Sequence, residues 1–296
     1  MTGRHYLSPA AFRRALTDRL RAVASTGPWT LAQLQRQFAY DRLLQRLYQH
    51  DRSWVVKGAT ALLARDIGVR ATIDVDVYSN TTTDVAEAEL RAAVAVDLHD
   101  WFRFEVGPPQ PVGAGAPGLR LPIAAYLGTT RWASFHVDLV GSELRMTGQP
   151  DQVRPLASVH MPDVAQHPYA VYPLVDHIAD KIVAVFRYGP TRASSTRYKD
   201  LVDLVAIVTQ APVDAEHQLA ALRSEARRRG ITLPSTFVVP DPTTWQGGYA
   251  AEARRTLLTA GRTLDDALTI VTPFTDPLLD GTAHGRWDPQ LHIWTR

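Results

Sequence analysis

Two aspartates within one short apolar stretch constrain this chain more than any other feature of its sequence. Asp74 and Asp76 stand two positions apart in TIDVDVY, where they alternate with Ile73, Val75 and Val77. Side chains of a strand alternate between its two faces, so both carboxylates share one face and the aliphatic side chains share the other. Adjacent carboxylates repel each other unless a cation or a shared proton lies between them. The pattern predicts a strand that packs on a core by one face and offers a cation site on the other.

A turn suited to phosphate precedes this strand. Gly58 and Thr60 belong to VVKGATALLA, in which a strand-like stretch ends at Lys57 and an apolar helical stretch follows. A strand, a glycine turn and a helix N-terminus hold phosphates through free backbone N–H groups, to which a hydroxyl adds a donor. The same residues also suit a plain connection between a strand and a helix, and taken alone they favour that simpler interpretation.

A third carboxylate stands further along the chain. Asp138 lies in SFHVDLVG, where apolar and polar residues again alternate as in a strand. If the two strands are neighbours, Asp138 joins Asp74 and Asp76 in a cluster able to bind two magnesium ions, since Mg²⁺ prefers oxygen ligands. Two-metal sites activate the attacking oxygen and stabilise the leaving oxygen in phosphoryl transfer. Paired carboxylates are also common as solvated charges, so the order of turn, Asp-x-Asp and later Asp is what indicates a nucleotide site.

Elsewhere the apolar periodicity predicts an α+β protein, in which helices pack on a small mixed sheet. The predicted strands are 54–57, 72–78, 101–106, 119–127 and 133–140. The predicted helices are one that starts at Ser8-Pro9, then 30–50, 84–98, 173–188, 198–209, 215–229, 249–260 and 264–271. We expect N-terminal helices in 1–50, a sheet-containing core in 51–160 and a helical C-terminal domain in 161–296.

The composition excludes several classes of function. With 296 residues, the chain exceeds a usual single domain. It has no cysteine, which removes disulfides, thiolate nucleophiles and cysteine-bound zinc, and its net charge of +2 permits an anionic partner without requiring one. Residues 1–24 lack the apolar core of a signal peptide, and no apolar run approaches the roughly 20 residues that span a bilayer. We therefore expect a soluble, cytoplasmic protein with no membrane partner.

Two resemblances follow from these motifs. KGATALLAR, TIDVDVY and HVDLV resemble the nucleotidyltransferase superfamily typified by DNA polymerase beta, which uses a Gly-Ser/Thr helix start, an Asp-x-Asp strand and a third strand carboxylate. VDHIADKIVAVFRYGPTRASSTRYKDLVDLVAI is similar to the signature of the AbiEii-type nucleotidyltransferase toxins of type IV toxin–antitoxin systems, in which an Ala-Asp/Glu-Lys helix precedes an Arg-x-Lys/Arg-Asp-Leu-x-Asp helix. The resemblance covers roughly residues 55–208. It departs at Ala59, where the family more often has a second glycine.

The resemblance implies a metal-dependent nucleotidyltransferase with a polymerase-beta-like core. Asp74, Asp76 and Asp138 are then the catalytic carboxylates and the ligands of Mg²⁺, and Asp138 helps to deprotonate the acceptor hydroxyl. The implied acceptor is RNA, with the tRNA 3′ end as the target, so that the modification blocks translation. A cognate antitoxin protein that neutralises the toxin is also implied.

The resemblance also assigns the nucleotide contacts. The phosphates of an NTP are expected at Lys57, Gly58 and Thr60. Lys181 is expected to face the triphosphate as a catalytic residue, and Asp203 to help place the triphosphate or the base. From the residues alone, Lys181 lies off the apolar stripe of its helix, where a solvated surface lysine is the commoner outcome.

Two charged residues near Asp203 fit more than one interpretation. Lys199 and Asp203 are four positions apart on a helix, as in an i,i+4 ion pair, and Lys199 and Asp200 fit either the site or a surface pair. Arginine clusters at 13–14, 227–229 and 254–255 offer basic surface to RNA phosphates.

Other functions fit parts of the pattern. The acceptor of the nucleotide can be a small molecule or a protein instead of RNA. A non-catalytic nucleotide-binding or RNA-binding module is a further alternative, although the intact carboxylate set favours catalysis. Haloacid-dehalogenase-type phosphatases and some glycosyltransferases also use Asp-x-Asp, but such a phosphatase usually carries it near the start of its core, without a preceding Gly-Thr turn.

Overall fold

The computed structural model describes residues 5–112, 118–141, 146–157, 159–186 and 195–296. Within them the chain is an α+β protein, which confirms the predicted fold class. It divides into two compact units. The first contains Met1–Arg65, Ala71–Leu144 and Gln152–Val171, and the second contains Asp66–Arg70, Arg145–Asp151 and Tyr172–Arg296.

Two capped helices open the first unit. α1 spans Pro9–Thr26, and the side chain of its N-cap Ser8 accepts a hydrogen bond from a backbone N–H of the first turn, as the Ser-Pro start predicted. α2 spans Leu31–His50 and begins with a capping box formed by Thr30 and Gln33. Such caps satisfy backbone donors that have no partner inside the helix. The apolar faces of both helices are buried, through Phe12, Leu16, Leu20, Leu34 and Phe38.

Charged side chains of α2 are also buried, and they join the helix to the start of a strand. Arg42 Nε donates to Asp100 Oδ2 at 2.7 Å, and Arg46 donates to both carboxylate oxygens of Asp100 at 2.8 and 2.9 Å. Burial alone would raise the pKa of the Asp100 carboxyl, but the two guanidinium groups outweigh it and lower that pKa. A buried charge that loses its partner is costly. The position of α2 therefore depends on these ion pairs as well as on apolar packing.

The sheet of the first unit is mixed. In the described residues it comprises β1 (Val55–Lys57), β2 (Asp74–Tyr78), β3 (Phe102–Val106), β4 (Gln110–Pro111), β5 (Leu119–Leu127), β6 (Thr130–Val140), β7 (Asp151–Val153) and β8 (Tyr169–Val171). The strand order is β3-β5-β6-β2-β1-β8-β7, and β4 pairs with β5. β2 runs parallel to β6 and antiparallel to β1.

One face of this sheet carries the core. Val75 of β2 and Val137 of β6 are fully buried, and Tyr40 of α2 packs edge-on against Phe135 of β6, with 4.8 Å between the ring centroids. The helix α4 (Thr83–Val94) covers the same sheet beside α2. The short helix α3, Gly58–Ala64, links β1 to the segment that leads into β2. Helices thus cover the apolar side of β2 and leave the polar side for the site.

The second unit is mainly helical. Its described helices are α5 (Leu174–Phe186), α6 (Tyr198–Gln210), α7 (Ala215–Arg229), α8 (Pro242–Ala253) and α9 (Leu264–Leu279). A small sheet adds β9 (Val213–Asp214), β10 (Arg286–Asp288) and β11 (Ile293–Thr295), in the order β11-β10-β9. α6 is the central helix, because each of its residues from Leu201 to Val208 is buried.

Two helices of the second unit differ from the sequence prediction. α8 begins at Pro242 instead of 249, after Asp241 caps its N-terminus, and its Gly248 allows the ring of Tyr198 to pack against the helix backbone. α9 continues past the predicted end at 271, through Pro273 and Pro277. Its buried positions keep the helical spacing to Leu278, so packing outweighs the hydrogen bonds that the prolines remove. In the described ranges, no helix is long and apolar enough to cross a membrane.

Candidate active site

The two aspartates of β2 lie on one face of the strand, opposite buried valines. Asp74 and Asp76 are partly exposed, whereas Val75 and Val77 are buried. The prediction was wrong for Ile73, whose side chain is 53% exposed. Ile73 precedes the first residue of β2, so the alternation of the strand does not extend to it.

Strand register brings four charged residues into one line across the sheet. Lys57 on β1 is opposite Asp76 on β2, Asp76 is opposite Asp138 on β6, and Asp138 is opposite Arg120 on β5. Directly opposed residues of neighbouring strands point to the same face. We call these four residues the charged row. Its two carboxylates lie between two cations, and Asp74 stands next to it on the same face of β2.

Arg120 holds two of the carboxylates. Its Nε donates to Asp138 Oδ1 and its terminal nitrogen donates to Asp138 Oδ2, both at 2.7 Å. The same terminal nitrogen lies 3.5 Å from Asp74 Oδ1, and His136 Nδ1 lies 3.2 Å from that oxygen. The hydrogen bonds to Asp138 raise the pKa of the Arg120 guanidinium, and the charges of Asp138, Asp74 and Asp76 raise it further. The carboxylate face is therefore one electrostatic unit in which Arg120 is the central cation.

The backbone conformation and the close contact with Asp76 explain why position 58 is a glycine. Gly58 has a φ of 60°, and a Cβ added there would overlap the Asp76 carboxylate, with the Asp76 Cγ only 2.7 Å away. Only glycine adopts this conformation without cost and admits so close an approach. Ala59, by contrast, is not among the residues with positive φ, so alanine fits where the family more often has glycine.

Thr60 has a structural partner in this arrangement. Its side chain is fully buried, and its hydroxyl donates to the backbone carbonyl oxygen of Asp74 at 3.2 Å. This hydrogen bond joins α3 to the start of β2 and helps to set the position of Asp74. A contact between the Thr60 hydroxyl and a phosphate stays a prediction, as do the contacts assigned to Lys57 and Gly58.

Two of the three predicted ligands, Asp74 and Asp76, are placed so that they could bind a magnesium ion. Asp74 and Asp76 present carboxylate oxygens on one face of β2, and Mg²⁺ typically binds one or two carboxylates together with waters and substrate phosphates. In the part of the chain that the structure describes, no group of three or more His, Cys, Asp or Glu side chains is placed to hold a metal ion. Asp138 is bound on both oxygens by Arg120, so its role as a ligand stays a prediction.

A cavity of about 490 Å³ lies beside the carboxylates. Its lining includes His136, the exposed Ile73, Pro122, Glu105 and Arg131. It therefore combines an apolar surface with polar and charged groups, and of the residues named here His136 contacts Asp74. A larger cavity of about 870 Å³ is lined by other parts of the first unit, including Arg42, Tyr48, His99 and His167, and no predicted site residue is among the described residues that line it.

In the second unit, Lys181 is at the centre of a buried ion cluster. Its Nζ lies 2.6 Å from Asp203 Oδ2 and 3.3 Å from Asp200 Oδ1. Arg70 binds the same Asp203 with both prongs of its guanidinium, at 2.9 and 3.0 Å. The side chains of Lys181 and Asp203 are 6% and 2% exposed. The structure thus brings Lys181, Asp203 and Asp200 together.

The pKa values of this cluster follow from its charges. Burial alone would raise the pKa of the Asp203 carboxyl, but Lys181 and Arg70 outweigh it and lower that pKa to about 2. Burial alone would lower the pKa of the Lys181 amine, but Asp203 and Asp200 outweigh it and raise that pKa. Both groups are therefore charged at neutral pH.

Two interpretations of these helices need correction. Lys181 was placed off the apolar stripe of α5, yet it is buried, because Asp203 and Asp200 supply its ion-pair partners. Asp203 was paired with Lys199 on an outer helix face, but α6 is buried around Asp203 and Lys199 is exposed. Asp200 contacts Lys181, which places it in the cluster.

A family model described as the nucleotidyl transferase AbiEii toxin of type IV toxin–antitoxin systems matches residues 42–270. The chain belongs to the AbiEii family. It is accordingly a nucleotidyltransferase, and its family implies an NTP substrate and an antitoxin partner. AbiEii-type nucleotidyltransferases generally use a divalent metal. None of the curated proteins compared matches the chain.

Solved structures also resemble this AbiEii protein, at low identity. The nucleotidyltransferase toxin MenT4 from Mycobacterium tuberculosis matches with 18% identity and a TM-score of 0.49, over 71% of this chain and 68% of that chain. JHP933 from Helicobacter pylori matches with 13% identity and a TM-score of 0.44, over 87% of this chain and 91% of that chain.

Three residues that bind the predicted site carboxylates were not found from the sequence. Arg120, His136 and Arg70 each bind a predicted site carboxylate. His136 and Arg120 do stand on polar positions of alternating strands, which is a usable signal. Their partners depend on strand register and on long-range packing, which the local pattern does not contain.

Proposed function

We propose that this AbiEii-family chain transfers a nucleoside monophosphate from an NTP to an RNA acceptor in the cytoplasm, with the tRNA 3′ end as its target. The observation that supports this most is the geometry of β2, where Asp74 and Asp76 share the open face beside the Gly58 turn. Two carboxylates in this position suit a divalent cation that also binds triphosphate oxygens. In the toxin–antitoxin setting, the modified tRNA no longer supports translation, and a cognate antitoxin prevents the transfer.

Each site residue has a separate role in the proposed reaction. Asp74 and Asp76 would hold magnesium, which when bound would neutralise phosphate charge and activate the attacking oxygen. Thr60 positions β2 through the Asp74 carbonyl, and the predicted contacts of Lys57 and Gly58 orient the triphosphate. The acceptor hydroxyl oxygen forms a bond to the α-phosphorus, the bond from that phosphorus to the β-phosphate oxygen breaks, and pyrophosphate leaves. Asp138 takes the hydroxyl proton after at least one of its two hydrogen bonds with Arg120 has broken.

We assign Lys181 and Asp203 to the nucleotide on the strength of the family resemblance. A lysine ammonium is a point charge suited to phosphate oxygens. Its burial with Asp203 fixes the amine in one position, and the raised pKa keeps it charged. To face a phosphate, Lys181 would have to exchange one of its contacts with Asp203 and Asp200 for a phosphate oxygen.

The acceptor assignment rests on the family and on two features of the surface. The cavity beside Asp74 offers exposed Ile73 and the His136 ring, a surface on which an unpaired base can stack. Exposed arginines, among them Arg14, Arg227 and Arg254, can neutralise RNA phosphates. The cluster at 227–229 is weaker than its sequence indicates, because Arg228 and Arg229 pair with Glu225.

Labelling with four nucleotides tests this proposal directly. The protein is incubated with each α-labelled NTP, magnesium and either total RNA, purified tRNA or a small-molecule pool, with Asp76→Asn as the matched control. We expect label from one NTP at the tRNA 3′ end, none with the control, and none when EDTA replaces magnesium. Label in small molecules alone would replace the RNA acceptor by the small-molecule alternative, and no label in any pool would contradict the proposal.

A further inference from the structure

Arg120, one of the two cations of the charged row, reaches Asp74, which is one of the two aspartates proposed to hold the metal. The guanidinium of Arg120 binds both oxygens of Asp138 at 2.7 Å and lies 3.5 Å from Asp74 Oδ1. It therefore spans β5, β6 and β2 and neutralises two of the three predicted catalytic carboxylates. A magnesium ion held by Asp74 would bind the same carboxylate at about 2.0–2.1 Å. Two cations cannot both stay this close to one carboxylate oxygen without strong repulsion.

Arg120 is also placed so that it can change partner. Its side chain is 35% exposed, whereas that of Asp138 is 11% exposed. The long arginine side chain can rotate away from the carboxylates more easily than the short, nearly buried aspartate can. A guanidinium fork fits phosphate oxygens as well as it fits a carboxylate, with two parallel hydrogen bonds in each case.

We propose that Arg120 exchanges partners when a metal–nucleotide complex binds. In the free protein its guanidinium neutralises Asp138 and Asp74. When a divalent cation binds Asp74 and Asp76, Arg120 moves to the phosphates that arrive with the cation, and Asp138, released by the guanidinium, becomes available to the acceptor hydroxyl. This inference rests on the proposed function, since it takes the metal and the nucleotide to bind on the carboxylate face.

The exchange makes cation binding and nucleotide binding depend on each other. A cation alone must displace Arg120 without giving it a new partner, so the cation alone binds weakly. A cation that arrives with a nucleotide supplies that partner. The nucleotide therefore raises the affinity for the cation, and by thermodynamic linkage the cation raises the affinity for the nucleotide by the same factor.

The test measures Mn²⁺ binding by the spin resonance of free Mn²⁺, with and without an α,β-methylene NTP analogue that cannot be transferred. Arg120→Gln removes the internal cation, so we expect it to bind Mn²⁺ alone roughly tenfold more tightly than the wild type, which corresponds to about 1.4 kcal/mol. The factor by which the analogue increases Mn²⁺ affinity should fall roughly tenfold.

Two further variants distinguish an exchange of partners by Arg120 from the mere effect of removing a positive charge. Arg120→Lys keeps the positive charge but loses the fork, and it should also lose most of the coupling. Arg131→Gln removes a charge near the opposite end of β6 and should keep the coupling of the wild type. If Arg120→Lys behaves as the wild type, or if Arg120→Gln keeps the full coupling, the exchange does not occur.

A variant of the partner covers the case in which Arg120→Gln fails to fold. Asp138→Asn keeps Arg120 and the side-chain volume but loses the ionised fork partner, so the guanidinium becomes available before any cation binds. We expect the analogue to bind this variant several-fold more tightly than the wild type in EDTA. An unchanged affinity in EDTA would contradict the inference.

The results that would refute the exchange of partners differ from those that would refute the proposed function. If the wild type binds Mn²⁺ neither alone nor with any of the four analogues, the metal site itself is wrong. If the wild type shows coupling and Asp76→Asn loses it, while the Arg120 variants match the wild type, the metal–nucleotide site stands and the exchange is refuted.

Discussion

Gly58→Ala should reduce both stability and activity, for two separable reasons. Gly58 has a φ of 60°, a left-handed conformation that costs a residue with a Cβ about 1–2 kcal/mol. The new Cβ would also overlap the carboxylate of Asp76, whose Cγ would be only 2.7 Å away. The short aspartate side chain can relieve this contact only by turning its carboxylate off the present position. Displacing a catalytic group by about 1 Å costs about 100-fold in rate, so we expect a loss of at least that size.

Gly230→Ala provides the matched control. Gly230 ends α7 with a φ of 63°, and a Cβ there meets nothing within 4 Å. This variant should lose the same 1–2 kcal/mol from the left-handed conformation and keep full activity. Urea unfolding gives the free energy of unfolding, and label transfer gives kcat/KM. Equal losses of kcat/KM in the two variants, or an unchanged kcat/KM in Gly58→Ala, would refute the proposed contact between Gly58 and Asp76.

The remaining predictions concern the carboxylates and the buried lysine. Asp74→Asn and Asp76→Asn should each abolish label transfer and leave the melting temperature near that of the wild type, because both side chains lie on an open face; near-normal activity in both would exclude the metal site. Lys181→Ala should lower the free energy of unfolding by about 2–3 kcal/mol, the size of a lost charged hydrogen bond, and also weaken NTP use; a stable variant with normal kinetics would exclude both roles. The pKa of Asp203 is about 2 in the folded protein and about 3.9 when unfolded. Its stabilisation is therefore present above about pH 4 and lost as the pH falls toward 2, so Asp203→Asn should flatten the acid side of a urea-unfolding pH profile relative to the wild type.

Local patterns predicted those parts of the fold that depend on local physics. The strand Leu119–Leu127 and the helix Ala215–Arg229 have the predicted bounds, because alternation and helical spacing are visible within each segment. The shared face of Asp74 and Asp76 follows from the same alternation. The sheet β9–β11 was missed because its strands have two or three residues, too few to show a period.

The partners in the site could not be read from the sequence for a different reason. Arg120 meets Asp138 because β5 and β6 pair in one register, and a shift by one residue would turn Arg120 to the other face. Lys181 looked like a surface lysine because its ion-pair partners, Asp203 and Asp200, lie on the next helix and are distant in sequence. Charged residues enter a core only where such partners exist, and these partners are set by tertiary packing.

The position of the family match within α2 has a consequence for shortened versions of the protein. The AbiEii match starts at residue 42, within α2 and at one of the two arginines that bind Asp100. A protein cut at that point would keep Arg42 and Arg46 but lose the first part of the helix that carries Leu34 and Phe38. It would also lose α1 and expose the apolar surface that α1 covers. The region that matches the family therefore begins later in the chain than the part that builds the core of the first unit. Shortened versions of this protein that begin at the match should aggregate, whereas versions that begin before α1 should stay folded.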